Sequence, residues 1–155
     1  MPLHCLIYES QATHLFTEAE LASLLRQSRA YNQAHCLTGL LLYASQGRFV
    51  QVLEGEQAAV HELHYGRIAQ DGRHHRVRVL ADEPLAGRRR FPDWRMGYRA
   101  ASPTLLATLT GYVDTATTHF LLPNLASLPG ALLDKLLDYV QRTPANQQLE
   151  EMVSR

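Results

Sequence analysis

The run Leu37-Thr38-Gly39-Leu40-Leu41-Leu42-Tyr43, then Ser45-Gln46-Gly47-Arg48, then Phe49-Val50-Gln51-Val52-Leu53-Glu54-Gly55 decides how this chain folds. Two apolar runs of strand length flank a glycine-bearing turn, the pattern of an antiparallel hairpin. The second run is apolar on both faces, so Gln51 stands where a buried residue is expected. A buried carboxamide carries two donors and two acceptor lone pairs, and leaving them unpaired costs about 1–3 kcal/mol. Backbone or ordered water can supply the partner, and so can another polar side chain.

Upstream, Leu3-His4-Cys5-Leu6-Ile7-Tyr8-Glu9-Ser10 reads as a strand, with Leu6, Tyr8 and Ser10 on one face and Cys5 and Ile7 on the other. Thr17-Glu18-Ala19-Glu20 is a capping box that opens a helix over about Glu18 to Asn32. Residues 21, 25, 28 and 32 share its inner stripe, so Asn32 points with the core leucines. Together with Tyr8 and Gln51 it would make a polar pocket in an apolar core.

Downstream, a second helix is expected over Gln57 to Ala69, with Val60, Leu63 and Ile68 inward, then a strand over Arg76 to Leu80. An irregular stretch holding Pro84, Gly87 and Arg88-Arg89-Arg90 leads to a last strand, Trp94 to Tyr98, whose three large apolar side chains would share one face. The order βαββαββ predicts an α+β fold with a ferredoxin-like βαββαβ core and an extra fifth strand, followed by two C-terminal helices. That architecture hosts many unrelated functions, so it assigns none. The C-terminal helices begin at Ser102-Pro103 and run over Pro129 to Arg142, the second bearing the apolar stripe Leu132, Leu133, Leu136, Leu137 and Val140. The expected division is a core over 1–100, a helical pair over 101–142 and a frayed polar tail over 143–155.

At 155 residues, 46% apolar, the chain suits one globular domain. Fifteen basic and fifteen acidic residues cancel, which gives no electrostatic case for nucleic acid or an acidic membrane. The arginine run reads as a solvated loop. Cys5 and Cys36 lack CxxC spacing and are expected as buried free thiols in a reducing compartment. With no signal peptide and no apolar run near 18 residues, a cytoplasmic location is expected.

Eight histidines raise the question of a metal, but His74 and His75 are adjacent, and His61 and His64 share a helix face without a third ligand in the pattern. No metal site is expected. GxSxG, P-loop, GxGxxG and CxxC motifs are all missing from the sequence, which removes support for hydrolase, nucleotide-triphosphate and Rossmann chemistry. The segment Arg67 to His74 reads either as a solvated helix end, with Arg73 and His74 complementing the dipole, or as a groove where Arg67 and Asp71 grip a planar, imide-bearing ligand. Trp94 and Met96 are open to the same two readings, core or site.

Six segments carry a family resemblance: Leu6-Ile7-Tyr8-Glu9-Ser10; Ser28-Arg29-Ala30-Tyr31-Asn32; Leu37 to Tyr43; Gly47 to Glu56; Arg67 to His74; and Phe91-Pro92-Asp93-Trp94-Arg95-Met96-Gly97-Tyr98. In order and spacing they resemble the BLUF family of flavin-binding blue-light sensors. The resemblance implies a non-covalent FAD between the two core helices, with Asn32 on the ring's carbonyl side, Gln51 bridging Tyr8 to the N5/O4 edge, and Arg67 and Asp71 on the N3/O2 edge. Ser10, Arg29, Tyr31, Ile68, Arg73 and His74 complete the implied flavin-binding set. The implied photochemical residues are Tyr8, Gln51, Trp94 and Met96: electron and proton leave Tyr8 and return, and the Gln51 amide is left rotated or tautomerised, with no substrate turned over. Tyr31 departs from the family, which often has asparagine or histidine there.

A stand-alone receptor is expected, with no effector domain after the core and the helices from about 103 to 142 as the output device, acting through a partner protein or a homo-oligomer. The alternative is a ferredoxin-like regulatory module that binds another planar small molecule without photochemistry.

Overall fold

The computed structural model describes residues 2–110 and 129–154. Strands β1 (His4–Ala12), β2 (Thr38–Ala44), β3 (Arg48–Gly55), β4 (His74–Pro84) and β5 (Gly97–Ala101) form one sheet in the order β4-β1-β3-β2-β5. The expected hairpin is present as β2 and β3. All pairings are antiparallel except β2 with β5, which is parallel. The α+β, ferredoxin-like expectation with a fifth strand therefore holds.

Helix α1 (Glu18–Ala34) starts at the Thr17–Glu20 capping box, both of whose hydrogen bonds form. Helix α2 (Gln57–Leu63) runs on into a π-helical turn, His64–Ile68, in which Ala69 N–H donates to the His64 carbonyl five residues back. Helices α3 (Pro103–Thr110), α4 (Pro129–Arg142) and α5 (Gln147–Ser154) follow β5.

Strand alternation sorts the apolar residues into two layers. Leu6, Tyr8, Leu41, Phe49 and Leu53 face α1 and α2, where they meet Leu21, Leu25 and Val60. Cys5, Ile7, Leu40, Leu42, Val50 and Val52 face the opposite side, where Leu106 of α3 and Leu132, Leu133, Leu136 and Val140 of α4 cover them. The buried residues of the α4 stripe are thus spent on the face of the sheet that α1 and α2 leave uncovered. No helix of the described residues is long and apolar enough to cross a membrane.

Several expectations change. The stretch read as a frayed tail forms α5, because Leu149 finds a fully buried seat in the α1 layer and Arg26 of α1 donates to the carbonyls of Met152 and Val153. The last strand begins at Gly97, not Trp94. Residues 91–96 are turns and bends, so alternation does not apply to them, and Trp94 packs with the α3/α4 layer while Met96 and Tyr98 pack with the α1/α2 layer. Strand β4 is longer than expected because β1 pairs with it along its length, from His4 opposite Pro84 to Ala12 opposite His74. The arginine run is no solvated loop: Arg89 donates to the carbonyls of Cys36 and Glu54 and to Thr38 Oγ1, and Arg90 N–H donates to the Glu54 carboxylate. Cys5 is buried, and burial pushes its thiol up to about 12, whereas Cys36 is exposed at a positive-φ position just before β2.

Candidate functional site

Gln51 and Tyr8 sit directly opposite each other in the β1–β3 ladder, so both side chains leave the sheet on the α1/α2 side. Tyr8 Oη donates to Gln51 Oε1. Gln51 Nε2 donates to Met96 Sδ at 3.4 Å. The partners of the buried amide are therefore a phenol and a thioether. Because a phenol is a good donor and sulfur a weak acceptor, the amide is held firmly on one side and lightly on the other. Burial pushes the Tyr8 phenol well above its ordinary range, and the negative field of Asp71 adds to this, so Tyr8 is a protonated donor at any ordinary pH.

Beside this pair a cavity of about 430 Å³ opens between α1 and the α2 end. Leu24, Leu63, Ile68 and Phe16 give it apolar walls, and Asn32, Gln51, Arg67 and Asp71 give it polar atoms. This volume and this lining suit a mostly apolar ligand with a few fixed polar groups. Asn32 is 1% exposed, and its Nδ2 donates to the Arg95 carbonyl. A carbonyl accepts only, so the amide orientation is settled, and Oδ1 is left buried with no partner among the described residues. Asn32 offers a ligand an acceptor, not the donor expected for a ring carbonyl.

The π-helical turn widens the helix by one residue per turn and carries Arg67 over the ring of Tyr31, 4.7 Å from its centroid. Tyr31 in turn stacks on His35. Asp71 does not pair with Arg67. It takes Arg73 instead, through contacts of 2.6–3.1 Å, and these hydrogen bonds hold its carboxyl below the usual range. His74 is pinned between Ser10 Oγ at 2.8 Å and the Ile68 carbonyl at 2.6 Å. The carbonyl requires an Nε2–H, and the serine hydroxyl can either donate to Nδ1 or accept from it.

Of the expected residues, Tyr8, Tyr31, Asn32, Gln51, Arg67, Ile68, Asp71, Arg73 and His74 line the cavity. Met96 joins them through Gln51. Three others do not line it. Ser10 orients His74 from behind, and Arg29 is engaged with Glu150 and the Met96 carbonyl. Trp94 stacks on Phe91 under the Arg99 guanidinium, in the other layer. Sequence reading also missed a contact of His64, which is 1% exposed with its ring centroid 4.8 Å from that of Tyr8. Burial brings its imidazole down to about 4, so it stays neutral. The helical spacing that groups His64 with His61 conceals this, because His64 turns to Tyr8 and His61 to His4, although both rings also meet Tyr65.

The chain is similar to known proteins. The profile of the family described as sensors of blue-light using FAD, BLUF, matches residues 3–97. A photoactivated adenylate cyclase subunit beta from Euglena gracilis is 38% identical over 112 residues, 72% of this chain, but the match spans only 13% of that relative's length. Among solved structures, BlrB, a BLUF protein in its dark state, superposes with a TM-score of 0.64 at 29% identity, covering 90% of this chain and 98% of that one. BlsA in its photo-activated state gives 0.65 at 28% identity, covering 87% and 94%.

Proposed function

The chain belongs to the BLUF family, sensors of blue-light using FAD, and on that premise we propose that it is a blue-light receptor whose flavin ring lies in the cavity between α1 and α2. The residues present fit the group. A flavin ring is a planar apolar body with an imide N–H on one edge, and the unpartnered Asn32 Oδ1 is an acceptor that such a donor satisfies. Asn32, Gln51, Arg67 and the Asp71–Arg73 pair would hold the ring, between the apolar walls of Leu24, Leu63 and Ile68. When bound, FAD supplies absorption of blue light and a transient acceptor for one electron.

The observation that carries the reading is the bond from Tyr8 to Gln51 Oε1 at the cavity wall. A phenol that loses an electron becomes strongly acidic, and the nearest acceptor for its proton is Gln51 Oε1. A half turn of the amide then exchanges Oε1 and Nε2, and the electron and the proton return to Tyr8, so the rearranged amide is the only net change. Nε2 would face Tyr8 and Oε1 would face Met96 Sδ, which has no hydrogen to offer, so the bond to Met96 is lost. Met96 immediately precedes β5, and β5 leads into α3. Output therefore passes from Met96 to the C-terminal helices and from them to a partner protein or a second copy. A differential affinity of a few kcal/mol between the two states suffices to switch such a complex. No substrate is turned over in this scheme.

The test is an absorption spectrum of the purified protein before and after blue illumination. A reversible red shift of the flavin band is expected, and Tyr8→Phe should keep the flavin and lose the shift. A protein that stays colourless when offered FAD overturns the cofactor assignment, and an ordinary photocycle in Tyr8→Phe overturns the role of Tyr8.

A further inference from the structure

Outside the flavin cavity, His4 of β1, His61 of α2 and Asp82 of β4 bring three donor atoms within 4.8 Å of one another. His4 Nε2 lies 2.5 Å, and His61 Nε2 2.7 Å, from the same oxygen, Asp82 Oδ1. The two imidazole rings stand at 82° with centroids 5.0 Å apart, so they approach that oxygen from different directions. The other carboxylate oxygen, Oδ2, accepts from Tyr65 Oη at 2.7 Å, which fixes the plane of the carboxylate. Two of the three donors ride on paired strands, where Leu6 is opposite Asp82 and His4 opposite Pro84, and the third comes from the helix above.

We propose that His4 Nε2, His61 Nε2 and Asp82 Oδ1 form a binding site for a borderline divalent cation of the Zn²⁺ class, with solvent completing its coordination. Two imidazoles and one carboxylate are a donor set suited to such a cation, whereas Mg²⁺ and Ca²⁺ prefer all-oxygen sites. Without metal, each imidazole can donate Nε2–H to the shared oxygen. With metal, each neutral ring carries its proton on Nδ1 instead and turns the Nε2 lone pair to the ion. Bonds of about 2.0–2.1 Å in a tetrahedron put ligand atoms about 3.3 Å apart, so the two contacts to Asp82 Oδ1 need to open by less than about 1 Å, while the two imidazole nitrogens, within 4.8 Å of each other, settle to the same spacing. His4 is buried while His61 and Asp82 are partly exposed, which leaves the remaining position open to solvent. The Tyr65 hydroxyl on Oδ2 is the outer partner that ligating carboxylates commonly have. The proposal departs from the sequence expectation of no metal site because the companions of His61 come from strands remote in sequence, not from His64.

Occupancy would fasten α2 to β1 and β4, just ahead of the π-helical turn that bears Arg67 and Ile68. The decisive experiment is a calorimetric titration of ZnCl₂ into the tag-free, chelator-treated protein carrying its flavin, with MgCl₂ as the contrast and Co²⁺ absorption as a second probe. One equivalent of Zn²⁺ should bind, with no saturable heat from Mg²⁺, and Co²⁺ should develop d–d bands to the red of the flavin. His61→Ala and Asp82→Asn should each weaken Zn²⁺ by at least about tenfold, the lower bound for losing even an outer partner, while exposed His75→Ala should change nothing. Should Asp82→Asn lose its fold by circular dichroism, His61→Ala decides alone. Absence of saturable Zn²⁺ binding, or binding that survives His61→Ala or falls with His75→Ala, overturns the site. These readouts do not depend on light, so they stand or fall apart from the photoreceptor reading.

Discussion

Arg29 grips Glu150 with both arms of its guanidinium, at 2.7 and 2.9 Å, while its Nε donates to the Met96 carbonyl at 2.9 Å. One side chain on α1 therefore ties α5 to the residue that holds the Gln51 amide. Tyr8, Gln51, Met96, Arg29 and Glu150 are linked in series from β1 to α5, with Met96 joined through its sulfur on one side and its carbonyl on the other.

Arg29→Ala should release α5 without emptying the flavin cavity, since Arg29 does not line it. The stability cost should be about 1 kcal/mol, as expected for a bidentate pair that remains partly exposed. Hydrogen exchange should rise over residues 147–154 while the light-induced red shift persists. Unchanged protection of that helix would show that Leu149 and the Arg26 contacts hold α5 without Arg29.

Acid should loosen the same helix. The Arg29 hydrogen bonds hold the Glu150 carboxyl below its ordinary value of 4.5. For a carboxylate depressed in the folded state, the stabilisation is complete above the unfolded value and is lost as pH falls through the folded one. Protection of residues 147–154 should therefore be level above about pH 5 and decline below 4.5, and Glu150→Gln should flatten that decline.

Asn32→Ala separates holding the ring from switching. It removes the acceptor Oδ1 and the bond to the Arg95 carbonyl. Flavin affinity should fall by about tenfold or more, the worth of one hydrogen bond to a buried group. The fraction that stays loaded should still show the red shift, because Tyr8 and Gln51 are untouched. Equilibrium dialysis and illumination of the same sample read both quantities.

His64 should give the fold a pH slope. Its imidazole is lowered from 6.5 to about 4 by burial, so between those values the unfolded chain binds the extra proton and the folded one does not. Stability should fall as pH drops from 6.5 towards 4, by about 3 kcal/mol in all. Urea titrations at pH 7.5 and 5 in the presence of a chelator measure this, and His64→Phe should remove most of the difference.

Glu54 anchors the segment that delivers Trp94 and Met96. Fully buried, its carboxylate accepts from Thr38 Oγ1, Arg90 N–H and Phe91 N–H. Glu54→Ala leaves two backbone donors short of an acceptor and should cost about 3 kcal/mol, read as a lower urea midpoint. A loss under about 0.5 kcal/mol would mean that water reaches those donors.

The strands, the hairpin and the capping box were legible because each rests on neighbours in sequence: alternation in β1, a glycine turn between β2 and β3, threonine three residues before glutamate. Gln51 was legible for the same reason, standing between Val50 and Val52 in an apolar strand. The start of β5 was not, because alternation was carried across a turn. A Cβ on Gly97 would lie 2.1 Å from the Trp94 ring, so the indole folds over its own chain and leaves the face of Met96. Helix α5 escaped notice because its few apolar residues mean little until α1 offers them a seat.

Local pattern thus suffices for which segments are strands and helices, which face of each is apolar, and that one buried amide needs a polar partner, since all three follow from side-chain period and backbone chemistry within a few residues. Tertiary packing alone selects Met96 over Trp94 as the neighbour of Gln51, leaves Asn32 Oδ1 open, and gathers His4, His61 and Asp82. Those outcomes depend on strand register and helix placement across separations of up to 78 residues, where no short-range periodicity can report which side chains will meet.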